Sequence, residues 1–228
     1  MKKTIALVRL YLFSTGKRRA LAPLSRRALT TFGIGVTLFE IWLGAFGSLD
    51  PFFFGTIFLA SMLVVTFTVF TATPATKAVS RPSAIDFILI AFSFIVGIYM
   101  VLNMDRYLTR IIGLDQISNM DYFIGIIFVA LALEGTRRTL GPGLTYIALI
   151  FILYNLFGHL IPGYFSHREL GLHFFIDTMV FTNDGLMGVP IRVAATYVFL
   201  FVFFGALLAE SGGGDFFYKL ASAITGKT

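Results

Sequence analysis

The sequence predicts an all-α integral membrane protein with about six transmembrane helices and both termini in the cytoplasm. Two observations predict this fold class. Hydrophobic residues make up 57% of the 228 residues and charged residues only 13%, whereas soluble domains average about 25% charged residues. Long apolar stretches also recur, and the clearest, from Pro51 to Thr76, contains no charged residue. A membrane-spanning helix needs about 20 mostly apolar residues.

Six spans can be drawn along the chain, at roughly 28–47, 52–72, 85–104, 122–140, 143–161 and 191–210. The 7 prolines all fall at the edges of these spans or outside them, where the missing N–H of proline costs nothing. The spans leave only short loops, so the chain forms one membrane domain or part of one. It contains no cysteine, which excludes disulfides, thiolate metal sites and thiol catalysis.

The distribution of basic residues predicts the orientation. If the N-terminus is cytoplasmic, all but four of the 18 lysines and arginines lie on the cytoplasmic side. The four outer ones are Arg106, Arg110, Arg168 and Arg192. Cytoplasmic loops of membrane proteins carry the excess of positive charge. The net charge of +6 therefore reflects topology, and no nucleic-acid partner is expected.

Residues 1–27 form a basic arm. Its apolar run is interrupted by Arg9, and no small-residue cleavage site precedes the basic cluster at Lys17–Arg19, so we expect the arm to be retained rather than cleaved as a signal peptide. Two forms stay open. The arm is either an amphipathic helix on the anionic leaflet or a solvated basic tail.

Two outer segments, 105–121 and 162–190, are longer than simple turns. In the second, Leu172, Phe175, Ile176 and Met179 recur at helical spacing. This pattern predicts a short helix in the outer interface, with a loop inserted between the helices as the alternative. The two segments share an acidic character, given by Asp105, Asp115, Asp121, Glu169, Asp177 and Asp184.

Two places in the spans carry charge. Glu40 lies inside the first span, where a carboxylate is costly, so it is a candidate for proton or coupling-ion binding, for a structural hydrogen bond or for a permanently protonated acid. Glu134 precedes Arg137 and Arg138 by three and four residues, which places all three on one helix face. We expect this group to have a structural or interface role, with the arginines reaching the headgroups.

No catalytic or metal-binding constellation stands out. His159, His167 and His173 are too widely spaced for a typical zinc site, and no metal or other cofactor is expected. The run from Ser211 to Asp215 is too short for a phosphate-binding loop and is typical of a helix C-terminus. The chain is therefore not expected to be an enzyme.

Four segments in the second half of the chain carry recognisable motifs: LEGTRRTLG (133–141), YNLFGHLIPG (154–163), GVPIRVAATYVFLFVFFGALLAESGGGDFF (188–217) and LASAITG (220–226). Together they resemble the fused membrane permease of tripartite ATP-independent periplasmic (TRAP) transporters. The resemblance covers residues 130–228. Over residues 1–129 it rests on the helix count and the basic loops.

The resemblance implies a division of the chain and a function. Residues 28–141 would correspond to the four-helix small subunit and residues 142–228 to the first two helices of the large subunit. The family couples a sodium gradient to the uptake of organic anions, often carboxylates, across the bacterial inner membrane. An extracytoplasmic solute-binding protein, commonly of the TAXI type in fused systems, delivers the substrate. The acidic outer segments would face that protein.

The substrate-binding residues of this symport family are expected beyond Thr228, so none is assigned within the chain. The sequence therefore predicts the scaffold portion of the permease, acting with the remainder of the permease in the bilayer. The alternative is a membrane assembly or anchoring protein that transports nothing.

Overall fold

The computed structural model of the chain describes residues 14–47, 49–73, 81–112 and 114–226. Every regular element among them is a helix, and one isolated bridge pairs Arg18 with Phe70. Six helices are long and apolar enough to cross a membrane: 23–46, 51–69, 84–102, 119–139, 142–160 and 189–210. This confirms an all-α chain with six candidate membrane spans among the described residues, while the cytoplasmic placement of both termini stays a prediction. Residues 1–13 of the predicted arm lie outside the described residues.

The helices follow in this order: α1 (Pro23–Phe46), α2 (Pro51–Val69), α3 (Ala84–Leu102), α4 (Met104–Thr109), α5 (Asn119–Thr139), α6 (Pro142–Phe157), α7 (Leu172–Val180), α8 (Val189–Val193), α9 (Phe199–Glu210) and α10 (Gly213–Thr225). A 3₁₀ turn extends α6 to Leu160. A π-turn (Ala194–Val198) joins α8 to α9, so these three segments form the sixth span.

Local sequence explains where the spans begin. Proline occupies the first turn of α1, α2 and α6. At α3 and α5 a reciprocal capping box forms, in which Ser83 pairs with Asp86 and Ser118 with Asp121. Each box satisfies backbone N–H groups that a helix start leaves unpaired.

Residues 14–27 are the part of the predicted arm that the structure describes. Residues 14–22 are non-helical, and α1 begins at Pro23 rather than at the predicted residue 28. The segment runs along residues 69–71: the Arg19 N–H donates to the Val69 carbonyl at 2.8 Å, and the Thr71 N–H donates to the Lys17 carbonyl at 3.0 Å. Residues 14–22 are therefore part of the folded bundle.

The core is formed by α2, α3 and α5, with α7 packed against α5. Phe67, Val96 and Phe128 are fully buried at its centre. A Cβ on Gly97 would lie 2.9 Å from the Ala60 Cβ, so α2 and α3 approach closely through small residues. Close backbone approach at small residues is a common way for membrane helices to pack.

The segment 162–190 contains the predicted short helix, α7, one face of which is buried against the bundle. Phe175, Ile176 and Val180 of α7 are buried in the main core cluster. Gly125 of α5 leaves room for the Ile176 side chain, because a Cβ there would collide with it. The segment therefore combines both predicted alternatives: it is helical, and it is inserted between the longer helices.

The C-terminal region holds two features that hydropathy did not predict. The sixth span is interrupted by the π-turn, and α1 packs against this turn and against α9. Gly212 adopts a left-handed conformation (φ 75°) after α9, which agrees with the predicted helix end near Ser211. The chain then forms a further amphipathic helix, α10, with exposed Phe216, Tyr218 and Ile224.

Candidate functional sites at the two ends of the bundle

At one end of the bundle, five charged side chains form a buried layer. We call Arg19, Asp86, Glu134, Arg137 and Arg138 the polar layer. Asp86 belongs to the first turn of α3, and the last three belong to the last two turns of α5. A carboxylate near a helix N-terminus and guanidinium groups near a helix C-terminus both match the helix dipole.

Asp86 is the centre of the polar layer. Its Oδ2 accepts from the Arg19 Nη2 at 2.7 Å, and its Oδ1 accepts from the Arg138 Nη1 at 2.6 Å. Ser83 donates its N–H and its hydroxyl to the same carboxylate. The side chains of Arg19, Asp86 and Arg138 are at most 1% exposed. The Arg19–Asp86 and Arg138–Asp86 ion pairs are thus buried inside the protein.

Glu134 contacts both arginines, as its spacing predicts. It accepts from the Arg137 Nε at 2.8 Å and from the Arg138 Nε at 2.6 Å. The predicted reach of these arginines toward the headgroups is wrong, because Arg137 is 5% exposed and Arg138 is fully buried. The Phe67 ring also lies against the Arg138 guanidinium, 5.0 Å from its centroid. The arginines turn inward because two carboxylates and several carbonyl oxygens are available there.

The polar layer also ties the N-terminal segment to the bundle. Arg137 donates to the Ser14 carbonyl and to the Ala72 carbonyl, each at 2.9 Å. Arg19 donates to the Thr68 carbonyl at 2.9 Å. The Thr68 and Ala72 carbonyls lie at or near the C-terminus of α2, where backbone acceptors lack intrahelical partners, whereas the Ser14 carbonyl belongs to the N-terminal segment. Three helices and residues 14–22 are therefore connected through one buried network.

A second polar cluster lies at the opposite end. Asp121 of α5 accepts from the Tyr99 hydroxyl at 2.8 Å, the Tyr107 hydroxyl at 2.7 Å and the Arg106 Nη2 at 2.5 Å. Ser118 completes the set through the capping box. Burial raises the pKa of the Tyr107 hydroxyl above its usual range, and its hydrogen bond to Asp121 raises it further. Tyr107 therefore remains a hydrogen-bond donor throughout the physiological pH range.

Beside this cluster, Arg110 connects α4 to α7. Its guanidinium forms an ion pair with Asp177 and donates to the Phe181 carbonyl at 3.1 Å. Both charged side chains are at most 8% exposed. A cavity of about 320 Å³ lies next to them, lined on one side by Arg106, Arg110 and Asp115.

These contacts change the status of the six acidic residues predicted for docking. Asp121 and Asp177 are buried and paired with arginines, so they are not available to a partner protein. The other four are exposed: Asp105, Asp115, Glu169 and Asp184. The prediction of an acidic docking surface is thus wrong for two of its six residues, because arginines elsewhere in the outer segments reach them.

The three histidines are dispersed. His173 stacks on the Tyr122 ring at 5.0 Å, and His167 lies between the carbonyls of Tyr154 and Arg168. The Tyr154 carbonyl, and then the Arg168 carbonyl, raise the pKa of the His167 imidazole. Within the described ranges no three metal-ligating side chains come together.

Glu40 is placed differently from every other acidic residue described above. It is 1% exposed within α1. Neither of its carboxylate oxygens has a hydrogen-bond partner among the described residues. Of the sequence-predicted sites, the structure brings together Glu134, Arg137 and Arg138, and it leaves Glu40 apart from them.

Sequence analysis missed Arg19 and Asp86 as site residues. The Ser-x-x-Asp spacing at 83–86 is a capping signal that could have marked Asp86. Nothing local marks Arg19, because its partner is 67 residues away.

Residues 126–228, a little under half of the chain, match the family model described as the DctM component of the tripartite ATP-independent periplasmic transporter. No curated protein matches the chain, and no solved structure matches it. The matched segment begins within α5 and contains Glu134, Arg137 and Arg138. This segment is thus similar to a component of a transporter family, which agrees with the resemblance predicted over residues 130–228. The assignment of residues 28–141 to a small subunit, the fused arrangement and the TAXI type stay predictions.

Proposed function

We propose that the chain is a membrane permease component of a TRAP-type transporter and that it forms a scaffold portion of that permease. The observation that carries this proposal is the family match over residues 126–228 in a chain with six candidate membrane spans. The transporter class of the matched family, together with these spans, favours transport over catalysis.

The packing supports a scaffold that includes the helices before the matched segment. Asp86 of α3 and Arg19 lie outside the matched residues, while Glu134 and Arg138 lie inside them. The Asp86–Arg138 ion pair joins the two parts, with both side chains at most 1% exposed. Removing one partner of a buried pair is strongly destabilising. We infer that α1 to α6 form one rigid unit in the permease.

The spans themselves favour support over substrate binding. Substrate sites of secondary transporters are built near the membrane midplane from broken helices. Among the described residues, the five spans before the sixth have no break inside them, and the sixth has the π-turn at 194–198. Glu40 is buried in the first span, and neither of its carboxylate oxygens has a hydrogen-bond partner among the described residues. We propose that substrate and coupling sodium are bound outside residues 1–228.

The proposed partner at the opposite end of the bundle is a solute-binding protein, of the TAXI type if the chain follows the fused systems it resembles. The exposed acidic residues Asp105, Asp115, Glu169 and Asp184 would face it, with both termini in the cytoplasm of a bacterium. Charged groups of this kind govern the rate and register of docking more than the affinity. The substrate class we propose is organic acids, carried by sodium symport across the inner membrane.

Gene deletion tests this function. Cells lacking the gene should lose sodium-dependent uptake of at least one member of a panel of labelled carboxylates, and the wild-type gene should restore it. A matched pair of complementing variants sharpens the result: Asp86→Asn should restore little uptake because the scaffold is destabilised, whereas Glu210→Gln should restore it fully, because Glu210 is exposed and lies outside the polar layer and the proposed docking surface. Unchanged uptake of the whole panel after deletion would favour the alternative, a membrane assembly or anchoring protein.

A further inference from the structure

Glu40 is a buried carboxyl group that the scaffold role does not use. Both of its oxygens are buried and without a hydrogen-bond partner among the described residues. It lies six residues before the end of α1 at Phe46, which is about 9 Å at the helical rise of 1.5 Å per residue. The group is therefore well inside the apolar part of the span.

Glu40 forms no ion pair with any side chain among the described residues. α1 packs against α2, the π-turn and α9. The hydrophobic residues buried at this junction include Leu43, Phe54, Phe58 and Ala195.

The ionisable groups on the same elements lie away from it. α2 has none, and Arg26 and Arg27 lie more than three turns away at the start of α1. Arg192 is in the first turn of α8 and forms no ion pair with Glu40, while Tyr197 and Glu210 are exposed.

Three occupants could satisfy such a group: a basic side chain, a metal cation or a proton. The first is excluded among the described residues by the contacts above. A sodium ion needs several oxygen ligands, as hard cations do, and the hydrophobic residues buried at this junction supply no side-chain oxygen. An ionised carboxylate with no partner is strongly disfavoured inside a membrane protein. A bound proton needs no further ligand and removes the charge.

We propose that Glu40 is a proton-binding site, occupied in the folded bundle, at the junction between α1 and the sixth span. This inference does not depend on the transport function. One turn further along α1, a Cβ on Gly44 would lie 2.8 Å from the Leu200 Cδ1, so the two helices are in close contact there. Loss of the proton places a charge beside that contact, and α1 separates from the sixth span so that water can reach the carboxylate.

The direction of the pH effect follows from proton linkage. At neutral pH the folded state holds a proton on Glu40 that the unfolded chain releases. Because the folded state binds more protons, stability falls as the pH rises. The stabilisation is fully present at acidic pH and is lost as the pH rises through the range in which Glu40 ionises in the folded protein.

Infrared spectroscopy of the purified protein tests the proposal directly. The wild-type protein at neutral pH should show the carbonyl band of a protonated carboxylic acid, and the band should disappear as the pH is raised. Glu40→Gln should lack this band, whereas Glu210→Gln should retain it because Glu210 is exposed. A wild-type spectrum without such a band overturns the proposal, and this measurement does not depend on the folding of any variant.

Thermal unfolding gives a second measurement. The wild-type midpoint should fall on raising the pH, and the Glu40→Gln midpoint should fall less, because its neutral amide imitates the protonated acid. Parallel pH profiles for the two proteins overturn the proposal. Adding sodium distinguishes a bound proton from a bound sodium ion at Glu40. If sodium abolishes the acid band and stabilises the wild type but not Glu40→Gln, Glu40 is a cation site and the proton assignment is wrong.

Discussion

Substitution of Asp86 by asparagine is the change that tests the polar layer most sharply. The carboxylate holds Arg19 at 2.7 Å and Arg138 at 2.6 Å, and all three side chains are at most 1% exposed. Asparagine keeps the volume but removes the charge. Two buried guanidinium groups then lose their shared counter-ion, and breaking a buried pair costs roughly 3–5 kcal/mol.

The loss should not exceed that range by much, because each arginine keeps other partners. Arg138 retains Glu134, and Arg19 retains the Thr68 carbonyl. The assay is the free energy of unfolding in detergent micelles, measured by denaturant titration. Asp105→Asn is the matched control, because Asp105 is exposed and surface substitutions usually change stability by less than about 0.5 kcal/mol.

A double-mutant cycle distinguishes the interaction energy of the Arg19–Asp86 ion pair from the destabilisation that each substitution causes by itself. Arg19→Met combined with Asp86→Asn should be less damaging than the sum of the two single changes, with a coupling of about 0.5–3 kcal/mol for residues in direct contact. Arg19→Met combined with Asp105→Asn should be additive. If Asp86→Asn is no more destabilising than Asp105→Asn, the polar layer does not hold the bundle together and the scaffold argument fails.

Three further predictions concern the opposite end and the topology. The pKa of the His167 imidazole, measured by NMR, should lie above its usual value near 6.5. The stabilisation that the charged imidazole gives to the segment after α6 is therefore present at acidic pH and is lost as the pH rises through that higher pKa. A pKa at or below 6.5 would contradict the contacts with the two carbonyls. Asp115→Lys should slow binding-protein-dependent uptake at low ionic strength and have less effect at high salt, since exposed charges are screened; equal rates at low salt would remove this residue from the docking surface. A cysteine introduced at Gln116 should react with an impermeant thiol reagent in intact cells while one at Thr225 resists it; the reverse pattern would overturn the predicted orientation.

The spans were predictable because hydropathy reports directly on burial in a bilayer. Every predicted span has its counterpart, with ends displaced by a few residues, and the first-turn prolines fixed several starts. The π-turn at 194–198 was not predictable in this way, because a change in backbone hydrogen bonding leaves the apolar character of the segment unchanged. α10 was missed because it is too short and too polar to cross a membrane and because it begins within the glycine run 212–214, which is typical of a helix end.

The sites were predictable only where the partners are close in sequence. Glu134 lies three and four residues from its arginines, so helix geometry alone brings them together. The pairing of Arg19 with Asp86 and of Arg110 with Asp177 depends on how distant segments pack, and each spans 67 residues. For the same reason Asp177 was mistaken for a surface charge. Local patterns identify a charged residue, but tertiary packing decides whether it is exposed.

Reconstitution tests the central claim most directly. Residues 1–228 in liposomes should show no accumulation of labelled carboxylates above empty vesicles when a sodium gradient and the solute-binding protein are supplied. The complete permease purified from cells and treated in the same way should accumulate substrate. Sodium-dependent accumulation by residues 1–228 alone would contradict the account, because it would place the substrate site within the six spans that are assigned here to the scaffold.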